Sequence, residues 1–153
     1  MKISDMLERQ AVLAELRGTS KPELLRELCH PLAQLHPSFS EDRLVQTLLD
    51  RERLGSTGLA EGVAIPHGKL KGLDHLIGSF GRTVAGVDFD SLDKQPTHLF
   101  FTIFAPEASS GDHLRALARV SRMLRNAEFR ARVLAAATAD QIYDLITEED
   151  SRF

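Results

Sequence analysis

The chain has 153 residues, 42% hydrophobic and 27% charged, enough for one domain that buries about two-thirds of the surface its unfolded form exposes. These proportions exclude a disordered chain, and a net charge of -3, with Lys and Arg mixed among Asp and Glu, lacks the basic footprint of a nucleic-acid binder. The lone Cys29 excludes an internal disulfide and any multi-cysteine metal site, and it suits a reducing compartment, so the expected location is cytoplasmic.

Met1-Lys2-Ile3-Ser4-Asp5 is soon followed by Glu8 and Arg9, which leaves no apolar block or cleavage site of a signal peptide. No stretch reaches the ~20 apolar residues of a membrane helix, so membrane insertion is not expected. Residues 12–16 carry a faint strand signal. Ser20 and Glu23 then form a capping-box pattern, and Leu24, Leu25, Leu28, Cys29 and Leu32 recur at helical spacing. This predicts a first helix that ends or kinks near Pro31, with Cys29 on its apolar stripe as a small buried thiol. A second helix is predicted from Ser40 as N-cap, with Leu44, Val45, Leu48 and Leu49 inward, Asp50 to Arg53 in the last turn and Gly55 as its stop.

The polar turn Gly55-Ser-Thr-Gly58 leads to a strand, Val63-Ala-Ile65, which Pro66 should end by removing a backbone donor. His67 is therefore expected where a strand gives way to a loop. Leu76 to Phe80 and Leu99 to Phe104 read as further strands, the second a continuous apolar run of the kind buried on both faces. Val87 to Pro96 between them reads as an irregular loop. A helix should follow with Leu114, Leu117, Val120, Ser121 and Leu124 on one side and His113 in its first turn. Asn126 is placed to cap a helix bearing Phe129, Val133 and Leu134, and Thr138 with Gln141 a last one bearing Ile142, Leu145 and Ile146. Helices sufficient for two faces of a short sheet predict a layered α/β domain.

Six histidines stand at positions 30, 36, 67, 75, 98 and 113, with no short metal-ligand spacing among them, so no metal site is expected. His30 and His36 border prolines and read as exposed turn residues, and His75 and His98 as structural residues at strand ends. His67 differs. Pro66 fixes the backbone before it, and Gly68 after it lacks the Cβ that would keep a ligand or partner backbone away. A neutral imidazole there offers a nitrogen lone pair that can attack phosphorus. Two groups could balance the charge of the resulting phosphoramidate: Arg51, whose fork suits phosphate oxygens, and His113 at a helix start. Read from residue chemistry alone, each has a plain alternative, a surface turn for His67, a solvated last-turn arginine for Arg51 and a first-turn polar residue for His113.

The run Gly62-Val-Ala-Ile-Pro-His67-Gly-Lys69, with Arg51-Glu-Arg-Leu-Gly-Ser-Thr-Gly58 before it, resembles enzyme IIA of the fructose/mannitol family of the bacterial phosphotransferase system, most closely its nitrogen-regulatory branch. The resemblance continues through Val87 to Pro96, the strand Leu99 to Phe104 and His113-Leu-Arg-Ala-Leu-Ala, from about residue 5 to residue 147. It implies a single type 2 IIA domain over residues 1–153, a three-layer α/β/α sandwich with a mixed central sheet. It further implies that His67 is phosphorylated through Nε2, that Arg51 and His113 steady the phosphoryl group, and that the donor is a small histidine-containing phosphocarrier protein charged by enzyme I. The tail Lys69-Leu-Lys-Gly-Leu-Asp74 and the pair Thr97-His98 depart from the family pattern.

The expected chemistry is in-line transfer to His67 with no cofactor, with His113 acting as a neutral donor. Regulation linked to nitrogen or potassium, through sensor-kinase or potassium-transport partners, is the expected use. One alternative is a regulatory binding module switched by the added charge, and another a IIA component that passes phosphate to a sugar-specific IIB protein. A metal-dependent hydrolase built on His67, His113 and Asp112 is a third reading that no ligand spacing supports.

Overall fold

Strand β1 (Leu7–Leu13) follows a short 3-10 turn, Ile3–Asp5, and forms one edge of a five-stranded sheet. It lies earlier than the expected 12–16. Glu8, Arg9 and Gln10 all face solvent, and the register against its neighbour slips between Leu7 and Val12, so the strand lacks the two-residue alternation that advertises one. The computed structural model of the protein describes residues 1–109 and 111–152.

Helix α1 (Lys21–Leu35) is capped by Ser20, whose side chain accepts from the Glu23 amide, and buries Leu24, Leu25, Leu28, Cys29 and Leu32. Pro31 does not end it. The helix continues to Leu35 with the Pro31 ring buried, because packing of the apolar stripe outweighs the loss of one backbone donor. His30 accordingly lies on the helix, exposed and bonded to Glu41, while His36 is half-buried with its ring 6.0 Å from that of His75. Helix α2 (Glu41–Glu52) starts at Ser40 as expected and leads to Gly55 at a φ of +143°. The two helices pack on each other and against the sheet.

Strands β2 (Val63–Ala64) and β3 (His67–Leu70) form the other edge, both parallel to β5 (Thr97–Pro106). Strand β4 (Ile77–Val87) lies between β1, to which it is parallel, and β5, to which it is antiparallel. The sheet is therefore mixed. All residues from Leu99 to Ala105 are buried, as the apolar run predicts, and Phe101 meets Phe80 edge to face at 6.1 Å. Strand β4 runs on past Phe80 to Val87, so the irregular segment begins only at Asp88.

Helices α3 (Gly111–Leu124), α4 (Ala127–Ala135) and α5 (Ala139–Asp150) complete the layers, with Asn126 and Thr138 as the expected caps of the last two. On α3 the expected Val120 and Leu124 are buried, together with His113, Ala116 and Met123, and Leu117 packs against the core, but Leu114 is 67% exposed. A histidine leads the buried stripe in place of Leu114. On α4, Phe129 and Val133 are buried but Leu134 is exposed. Buried Arg82 of β4 donates to the carbonyls of Val133 and Ala136 at 2.9 and 2.5 Å and to that of Ala14 at 3.0 Å, which satisfies the end of α4. The result is a five-stranded mixed sheet flanked by helices. No described helix is long and apolar enough to cross a membrane.

Candidate functional site

His67 opens a strand rather than a loop. The pairs Ala64 with Phe100 and His67 with Ile103 keep the same step across Ile65-Pro66, and the Pro66 carbonyl accepts from the Ile103 amide at 2.9 Å. Pro66 can interrupt the strand without ending it because the edge position asks for no second partner. Gly68 has a different use from the one expected. A Cβ there would stand 2.8 Å from Thr47 Cγ2, so the missing side chain lets β3 lie close against α2.

The half-buried His67 ring donates from Nδ1 to the Ile65 carbonyl at 2.7 Å. A carbonyl only accepts, so the proton resides on Nδ1 and the lone pair on Nε2. Burial holds the His67 pKa below the ordinary histidine value, the Ile65 bond opposes this, and the positive charge of Arg51 adds to the lowering while Glu52 offsets it. At neutral pH the ring is therefore uncharged and its Nε2 nucleophilic.

His113, in the first turn of α3, is buried, and its ring meets that of His67 edge to face with centroids 5.4 Å apart. Among the described residues its Nε2 is the one buried side-chain polar atom without a hydrogen-bond partner. Such an orphan is costly and calls for an acceptor or donor that arrives from outside. Burial, then the facing His67 and then Lys69 push the His113 pKa down. Arg51, in the last turn of α2, is half-buried and donates to the Gly55 carbonyl at 2.8 Å.

The structure thus brings His67 and His113 into ring contact and sets the charge of Arg51 near enough to His67 to act on its proton. Lys69 carries no signal of its own in the sequence, where His67 is read as the start of a loop; on a strand, two residues after His67, it shares a face with it. Leu54 and Leu114, 84% and 67% exposed, are apolar neighbours of Arg51 and His113 in the chain. His75 and His98 lie outside the cluster: His75 bonds Asp74, and His98 the Thr83 carbonyl. Among the described residues no three His, Cys, Asp or Glu side chains form a group that could hold a metal ion.

A sequence profile of the phosphoenolpyruvate-dependent sugar phosphotransferase system, EIIA 2, matches residues 5–149. The chain belongs to this EIIA family. It is 40% identical over 146 residues to a nitrogen regulatory protein of Bradyrhizobium diazoefficiens, covering 95% of each. The crystal structure of nitrogen regulatory protein IIA-Ntr from Neisseria meningitidis superposes with a TM-score of 0.88 at 32% identity, over 95% of this chain and 99% of that one. A fructose-specific EIIABC component of Bacillus subtilis is 35% identical over 150 residues, 98% of this chain but 24% of that protein. This EIIA is accordingly a phosphocarrier-type component of the phosphotransferase system, whose EIIA domains exchange phosphate with partner proteins of the system, and a homologue of nitrogen regulatory proteins.

Proposed function

We propose that His67 of this EIIA accepts a phosphoryl group through Nε2 from the phosphohistidine of a small histidine-containing phosphocarrier protein, with Arg51 and His113 steadying the group. The Nδ1 bond to Ile65, which leaves Nε2 as the free lone pair, is the observation that carries this reading. The Nε2 lone pair attacks phosphorus as the donor's nitrogen–phosphorus bond breaks, and that electron pair returns to the donor ring. The proton remains on Nδ1, where the Ile65 carbonyl stabilises the positive charge that develops on the ring. The orphaned Nε2 of neutral His113, carrying its proton, donates to a phosphoryl oxygen, and Arg51 exchanges the Gly55 carbonyl for another. Exposed Leu54 and Leu114 supply apolar contact for the donor.

The reading takes residues 1–153 as one EIIA domain acting in the cytoplasm, without cofactor or metal. Its use is regulation linked to nitrogen or potassium, through contact with sensor-kinase or potassium-transport partners that respond to the charge added at His67. Similarity to the nitrogen regulatory proteins of Bradyrhizobium and Neisseria favours this over delivery of phosphate to a sugar-specific IIB protein.

Incubation with phosphoenolpyruvate, enzyme I and the small phosphocarrier, followed by intact-mass measurement, tests the chemistry. Wild type is expected to gain one acid-labile phosphoryl group and His67→Ala none; a wild type that gains none overturns it. A pull-down with the phosphorylated and unphosphorylated forms tests the use, and capture of a IIB protein alone would reverse the choice.

A further inference from the structure

The last turn of α2 holds a buried carboxylate that the transfer chemistry does not use. The Glu52 side chain is 3% exposed and takes a bond from Lys21 Nζ at 2.9 Å. It also accepts from the Thr57 amide at 3.3 Å and from Thr57 Oγ1. Lys21 is itself held, 3.2 Å from Asp90 Oδ2 and 4.5 Å from the centroid of the buried Phe89 ring. The carboxylate is clamped between the first turn of α1 and the turn that follows α2.

From Thr57 a line of hydrogen bonds leads to the candidate nucleophile. The Thr57 carbonyl accepts from the Ile65 amide at 3.2 Å, and the Ile65 carbonyl accepts from His67 Nδ1 at 2.7 Å. That carbonyl has no support from β5, whose Ile103 amide goes to Pro66 instead. Its direction therefore depends on the residue 57 side. We propose that Glu52, acting through Thr57 and Ile65, is a positioning residue that holds His67 with Nδ1 protonated and Nε2 free. The proposal rests on the reading of His67 as phosphoryl acceptor. A charged acceptor suits the task, since hydrogen bonds to a carboxylate are roughly twice as strong as neutral ones. Its negative charge also acts on His67 directly, favouring proton affinity against burial and Arg51.

The test compares wild type with Glu52→Gln and Thr57→Val, and with Ser79→Ala as a control that weakens a buried hydroxyl pair elsewhere in the sheet. Imidazole nitrogen shifts of His67, read by NMR on the free protein, give the tautomer without any phosphoryl transfer. The expected result is a single Nδ1–H form in wild type and Ser79→Ala, and a mixture in the other two. Transfer from the phosphocarrier should slow roughly ten-fold in those two, the size seen when the outer partner of a metal-bound histidine is altered. An unchanged tautomer in both Glu52→Gln and Thr57→Val overturns the proposal, whatever the rate. A wild type that takes no phosphoryl group would instead overturn the acceptor reading and leave the tautomer comparison to decide the positioning role.

Discussion

The rings of His67 and His113 meet edge to face, 5.4 Å between centroids and 70° between planes. Two imidazoles this close and this buried cannot both hold a proton without strong repulsion. Burial is the first cause of the lowered pKa of each, and His113 is lowered further by His67 and Lys69.

Acid should therefore cost this protein both stability and transfer. Unfolding restores the two histidines to their ordinary affinity for protons, so below about pH 6.5 the unfolded chain binds more protons than the folded one. Stability is expected to fall as pH drops through that value and to be unaffected by these groups above it. Denaturant melts at pH 5.5 and 7.5 check this, with His113→Gln showing a smaller loss. Phosphoryl transfer should be level from pH 7 to 8 and decline only on the acid side, as His67 takes up its proton; a rate still climbing at pH 8 would contradict the lowered pKa.

Replacement of Arg51 or His113 by Ala should slow phosphoryl transfer on the order of a hundred-fold each, the typical loss when one preorganised donor to a developing charge is removed. Folding should survive, since Arg51 is only half-buried and the buried Nε2 of His113 has no hydrogen bond to lose. Single-turnover transfer together with circular dichroism distinguishes the two effects. Wild-type rates in both variants would remove these residues from the site.

The close approach of β3 to α2 makes Gly68 intolerant of even a methyl group. Gly68→Ala places a carbon 2.8 Å from Thr47 Cγ2 and 3.5 Å from the Thr47 carbonyl. A loss of about 1–3 kcal/mol is expected from overpacking. Thr47→Ser removes the offending methyl but keeps the hydroxyl that bonds the Arg43 carbonyl at 2.8 Å, so the double variant should recover much of the loss. Chemical denaturation of the four proteins of the cycle gives the coupling.

Arg82→Met should cost about 3 kcal/mol, because the carbonyls at the end of α4 lose a charged donor in a buried place. Hydrogen exchange is expected to quicken at α4 and the start of α5 before it does in β5.

Much of this fold is legible in the sequence because its signals are local. Ser20, Ser40, Asn126 and Thr138 each sit three residues before the amide they cap, and the apolar run from Leu99 declares the central strand without help from the rest of the chain. Strand β3 is hidden because Pro66 gives a correct local signal, the missing donor, that a distant partner overrides: β5 supplies the ladder that continues past it. Leu114 misleads for a similar reason. As the stronger hydrophobe it claims the inward face, but its neighbour His113 is the one buried there, in line with Ala116 and Val120 and in ring contact with His67. The run around His67, with Arg51 and His113, marks the residues that converge. Glu52 escapes notice since its partner Lys21 is 31 residues away in the chain.

The register across Ile65-Pro66 has a consequence for how the chain can vary. Val63 and Ala64 pair with Leu99 and Phe100, and His67 with Ile103, so the same offset spans the interruption. Successive residues of a strand point to opposite sides, which makes the direction of His67 a matter of odd or even count from Ala64. One residue added or removed there would turn the imidazole away from His113 and leave it against the wrong layer, with every element still able to form. The segment from Lys71 to Leu76 lies beyond β3, so its length does not enter the count that aims His67.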